Sequence, residues 1–119
     1  MANSAHAIVF RAVKDLVDGR CYPCEAPEGV DRPFIVYQGV GGQSANYMGN
    51  TVAGQKNARI QVAVWADTEQ SAIDVMQQVE ETLSSAPILA TSIGAAVDDH
   101  ETDTRRYGQR LDFSIWYSP

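Results

Sequence analysis

Two stretches of this chain alternate so strictly that they leave room for little but strand. From Gln55 to Ala66 the apolar residues Ala58, Ile60, Val62, Val64 and Ala66 take every second place, with Asn57, Arg59, Gln61, Ala63 and Trp65 between them. From Tyr107 to Tyr117 the set Tyr107, Gln109, Leu111, Phe113, Ile115 and Tyr117 alternates with Gly108, Arg110, Asp112, Ser114 and Trp116. A period of two sends one set to a covered sheet face and the other to the opposite face. The chain is therefore committed to a sheet whose second face carries Arg, Gln and Trp. A third strand follows Pro33: Phe34 to Val40 is rich in aromatic and β-branched residues, with Phe34, Val36 and Val40 on one side.

What covers the sheet is readable from helical spacing. Ala5, Ile8, Val9, Ala12 and Leu16 form one stripe between Ser4 and Val17, with Asn3 or Ser4 as N-cap and Gly19 placed for a left-handed C-terminus. A second helix begins at Asp67 or Thr68, with Gln70 as the capping-box partner of Asp67, and sets Ala72, Val75, Met76, Val79 and Leu83 on one face. Its other face is acidic. Asp67, Glu69, Asp74, Glu80 and Glu81 have no basic residue among them, so pairs one turn apart cannot neutralise them. Between the helices, Gly19 to Asp31 reads as an irregular connection with at most a short strand near Arg20 to Tyr22. Gly39 to Gly54, with five of the nine glycines, reads as a long loop. Ile88 to Val97 is mildly β-like, and Asp98 to Asp103 reads as a turn.

The resulting order α-β-β-α-β-β predicts an α+β fold, two helices on one face of a mostly antiparallel sheet, with residues 1–119 as a single domain. Two helices cover only one face, which leaves Arg59, Gln61, Trp65, Arg106, Arg110 and Trp116 for water or for another subunit. Arg and Trp together are the residue types of interface hot spots. Nine basic residues against fifteen acidic ones give a net charge of −6, with two lysines, which speaks against binding nucleic acid through phosphate contacts. No apolar run approaches the ~20 residues of a membrane span, and the first residues lack the pattern of a signal peptide. The expected compartment is cytosol-like.

Motifs that could carry chemistry are incomplete. Cys21-Tyr-Pro-Cys24 has the spacing of a redox dithiol but follows a helix end and runs into a Pro-rich loop, with Glu25 and Glu28 close by to oppose a thiolate. As a zinc site it is half a site, with His6 and His100 as the only histidines to complete it. Asp98 to Asp103 lacks the spacing of a calcium loop. Gly39-Val-Gly-Gly-Gln-Ser44 lacks the third glycine of a dinucleotide loop and the Gly-Lys of a P-loop. No enzyme and no cofactor or metal is expected. A small redox or metal-binding protein built on Cys21 and Cys24, and a generic interaction module of a bacterial host, are the other classes the residues admit.

Taken together, Tyr22-Pro23, Pro33-Phe-Ile-Val-Tyr-Gln38, the Gly-rich loop, Ala58-Arg-Ile-Gln-Val-Ala-Val-Trp-Ala66 with its following helix, and the closing Arg110-Leu-Asp-Phe-Ser-Ile-Trp-Tyr117 resemble the small tail completion, or tail terminator, proteins of long-tailed phages and prophages. The resemblance runs from Asn3 to Tyr117 and lies in the order of segments. It implies a virion component without catalytic residues, assembled in the host cytoplasm as a homo-oligomeric, hexameric ring. Such a ring caps the tail tube, contacts the tail tube protein and a head-completion or connector protein, and lets DNA pass without specific binding. On this reading Arg59, Trp65, Arg106, Arg110 and Trp116, with Tyr47 and Met48 of the loop, are subunit-interface candidates. Asp67, Glu69, Asp74, Glu80 and Glu81 form the complementary acidic face.

Overall fold

The computed structural model describes residues 3–43 and 54–119. Helix α1, Ala5–Val13, starts at Ser4, whose hydroxyl accepts the Ala7 N–H at 3.1 Å, and tightens into a 3-10 turn, Lys14–Val17. Asp18 and Gly19 both take positive φ, 51° and 84°, and end it. The buried stripe is Ala5, Val9, Val13 and Val17. It is centred one residue beyond the sequence-derived stripe, whose Ile8, Ala12 and Leu16 are only half-buried.

Five strands follow: β1 Cys21–Pro23, β2 Phe34–Gly39, β3 Lys56–Ala66, β4 Thr91–Glu101 and β5 Arg106–Tyr117, in the spatial order β1-β2-β3-β5-β4. The expected α-β-β-α-β-β order is corrected by β1. It joins the edge parallel to β2, so the sheet is mixed while its other pairings are antiparallel. Helix α2, Glu69–Ser84, begins at Thr68, whose hydroxyl accepts the Ser71 N–H. Asp67 is not the cap, and Gln70 donates to Asp74 rather than closing a capping box.

Both helices pack on one face. Val9, Val13, Val75, Met76, Val79 and Leu83 meet Ile35, Ile60, Val62, Val64, Leu111, Phe113 and Ile115 in one core. Alternation in β3 and β5 falls as the sequence indicates. In β2, Phe34 and Val36 share one side as expected, and it is the side away from the helices: Ile35 and Tyr37 pair with Val64 and Val62 on the helix side. Phe34 is nevertheless 2% exposed. Of the acidic stretch expected as a turn, Asp98 to Glu101 is strand, the end of β4, and only Thr102 and Asp103 lie in the turn that leads to β5. β4 is an edge strand with most of both faces in solvent, so no alternation announces it. A register shift between Ile93 and Val97, with Gly94 at φ 77°, bends it.

Candidate assembly interface

The helix-free face is a layered polar and aromatic surface built by register. Phe34 lies opposite Trp65, Val36 opposite Ala63, and Gln38 opposite Gln61; next to them, Arg110 lies opposite Ala63 and Gly108 opposite Trp65. A Cβ on Gly108 would sit 2.9 Å from two carbons of the Trp65 ring, so the indole lies over the bare backbone of β5. The Arg106 guanidinium covers both rings, 4.6 Å from the Trp65 centroid and 5.4 Å from that of Phe34. Such stacking is worth about 0.5–1 kcal/mol where exposed and more where dry. Glu101 on β4 accepts from Arg106 at 2.9 Å, and this bond, with that of Thr104, holds the Glu101 carboxyl below its ordinary range. The Arg106 Nε is buried without a hydrogen-bond partner, so the guanidinium is held by its rings and Glu101 rather than by a full set of acceptors.

The same face pairs its other arginines. Arg59 bonds Asp112 at 2.7 Å, and Arg110 approaches Asp99 at 3.8 Å. Arg59, Arg106 and Arg110 are thus all matched by carboxylates of the same chain. The face is close to neutral, a property the residue types alone do not reveal because the partners Asp99 and Glu101 lie in the stretch expected to be a turn. A depression of about 360 Å³ crosses it, floored by Val36 and Ala63 and walled by Trp65, Arg106, Arg110 and Gln38. Trp116 stands at the far end, 44% exposed.

Of the sequence-derived interface candidates, Arg59, Trp65, Arg106, Arg110 and Trp116 share this one face, whereas Tyr47 and Met48 lie outside the described residues. Phe34, Glu101 and Asp112 belong to the same surface and were missed. The signal for Phe34 was its parity with Trp65 across the β2-β3 ladder, which depends on register. The acidic candidates are separated from this surface. Glu69, Asp74 and Glu81 project outward from α2, Glu80 is half-buried, and Asp67 precedes the helix and pairs with Arg32 at 3.2 Å.

The two cysteines diverge. Cys21 is buried in the core, and burial pushes its thiol up to about 11, while Cys24 is exposed, at φ 63°, on the rim of the helix-free face. Burial rather than the neighbouring glutamates is the cause. A buried, protonated thiol is a poor nucleophile and a poor metal ligand, which removes the physical basis for a dithiol centre. Among the described residues no group of three or more His, Cys, Asp or Glu is placed to hold a metal, and no helix is long and apolar enough to cross a membrane.

Comparison with known proteins supplies the context for this surface. Among solved structures the chain is similar to the gp17 protein of bacteriophage SPP1, with a TM-score of 0.51 and 16% identity over 94% of this chain and 83% of that one. At that identity the likeness speaks for the fold. No curated protein matches the chain in sequence. A family model described as tail completion protein gp17 matches residues 5–118, from the first residue of α1 to the end of β5 and one residue beyond. With a match of that extent, this chain belongs to the tail completion protein gp17 family, structural proteins of the phage tail.

Proposed function

We propose that this chain, as one domain over residues 1–119, closes into a hexameric ring on the end of the phage tail tube and presents the surface to which the filled head attaches. Family membership supports a structural, non-enzymatic role in the virion tail with contacts to tail and head components. The observation that carries the finer reading is the helix-free sheet face: a wide, nearly neutral surface that no helix of the chain covers, with Trp116 44% exposed at its end and Trp65 capped only by the Arg106 side chain. Fully burying such aromatic area is worth roughly 1.5–3 kcal/mol per large side chain. Arg59, Trp65, Arg106, Arg110 and Trp116 are the residues this reading buries in the assembly, with Tyr47 and Met48 joining them.

A ring also needs two dissimilar patches per subunit that meet head to tail. The acidic outer face of α2 is the second patch. Assembly belongs in the host cytoplasm, where tails are completed before heads join them. The test is a phage in which the gene is deleted: this reading expects tails of abnormal length that fail to join heads. Tails of normal length joined normally to heads contradict it.

A further inference from the structure

Six of the nine basic side chains, Lys14, Arg20, Arg32, Arg59, Arg106 and Arg110, have a carboxylate of the same chain within 4.0 Å or less. Among the described residues Arg11, Lys56 and Arg105 do not; Arg11 lines one groove, and Lys56 is the chain neighbour of Gln55, which lines the same groove. This groove, of about 540 Å³, runs between α1 and the end of the sheet, lined by Ile8, Ala12, Ile88, Ile115 and Trp116 with Arg11 on its wall. Among the described residues Arg11 donates to the neutral Asn3 side chain, at 3.1 Å, and to no carboxylate. Gln55 lines the same groove; Lys56 follows it and pairs in the ladder with Tyr117, another lining residue. Leu89, next to Ile88, is 66% exposed. The groove is apolar inside and cationic at its edge.

Of the nine side-chain carboxylates without an ion pair among the described residues, four lie on α2 and the others, Glu25, Glu28, Asp31, Asp98 and Asp103, are spread over the connection after β1 and the β4-β5 end. Among the described residues Glu69, Asp74, Glu80 and Glu81 form no ion pair, and α2 contains no basic residue. Asp74, Gln77, Gln78 and Glu81 follow one another at i, i+3, i+4 and i+7, a continuous outward stripe that turns away from the core α2 shares with α1. Each copy thus carries free cations on one patch and free carboxylates on another.

We infer that the Asp74 to Glu81 stripe of α2 from a second copy of this chain docks on the groove between α1 and the sheet end, its carboxylates facing Arg11 and Lys56. The contact is heterologous, so repetition closes a ring when the rotation per subunit permits. It rests on the ring reading and replaces the sheet-face arginines, which are internally paired, as the counterpart of the acidic helix. The sheet face is then left for the tail tube or the head.

The test is a charge swap. One variant carries Arg11→Glu and Lys56→Glu, the other Asp74→Lys and Glu81→Lys; all four side chains are exposed or at the rim, and circular dichroism with thermal melting verifies folding. Each variant alone places a repulsive pair at every contact, so its incorporation at tail tips should fall about tenfold or more, the scale of reversing close charge pairs across an interface. Supplied together, the two variants restore incorporation, because alternating copies match at every contact. Normal incorporation of either folded variant alone overturns the inference, as does failure of the mixture to restore it, or cross-links that place α2 against a tail or head protein instead of another copy. Electron microscopy of wild-type tips reads the ring itself: a ring with unaffected variants removes this contact and leaves the proposed function standing, whereas no ring removes both.

Discussion

Gly108 shows how one missing side chain organises a surface. Trp65 occupies the space a Cβ would fill, and Arg106 then closes over the indole and Phe34, drawing Glu101 in from the edge strand. Gly108→Ala should cost about 1–3 kcal/mol, as other small-to-large changes in packed sites do, and should displace the indole. Chemical denaturation monitored by tryptophan fluorescence checks both effects, with Trp116→Phe isolating the Trp65 signal. Cys21 yields a second prediction. The folded chain raises its thiol from 9.0 to about 11, so folding favours the protonated form. The stability this supplies is complete below pH 9.0 and is lost as pH rises towards about 11. Tyr37, raised first by burial and then by the charges of Cys21 and Cys24, acts in the same direction. Melting temperature should fall through this range, more shallowly in Cys21→Ala, and a thiol reagent at neutral pH should label Cys24 well ahead of Cys21.

At the scale of elements, the sequence was most legible where one face is buried and the other is not. The α2 stripe Ala72, Val75, Met76, Val79 and Leu83 is the buried set, and β3 and β5 alternate as their composition indicates. Leu83→Ala should therefore cost about 2–5 kcal/mol in urea denaturation. Glu81→Ala, on the outer stripe, should stay within about 0.5 kcal/mol. Legibility failed where both faces have the same character. In β2, Phe34, Ile35, Val36 and Tyr37 offer apolar residues to both sides, and only pairing with β3 decides that Ile35 and Tyr37 face the helices. In β4 neither face is covered, so Asp98, Asp99 and Glu101 look like a turn although they form rungs beside Gln109, Arg110 and Arg106. The neutrality of the sheet face was invisible for the same reason: it depends on which acidic residues the ladder sets beside the arginines. β1, short and parallel, has too few residues to show any period.

For the whole molecule, the arrangement separates functions by surface. The helix layer and one sheet face bury the core, the other sheet face presents aromatic and internally neutralised polar groups, and α2 with the α1 groove offers opposite unpaired charges. A subunit with such dissimilar patches is suited to repeat around an axis while keeping another surface for what lies above or below it. Weak affinity between free subunits is compatible with this design, because a tail end can gather copies that solution leaves dispersed. Mass in solution is consequently a poor measure of the assembled state. Cryo-electron microscopy of intact tail-to-head junctions tests the central claim most directly: a closed hexameric ring of this chain between tail tube and head, with Trp65 and Trp116 buried in contacts, is the predicted result. Junctions in which this chain is absent, or bound as isolated copies with the sheet face in solvent, would contradict it.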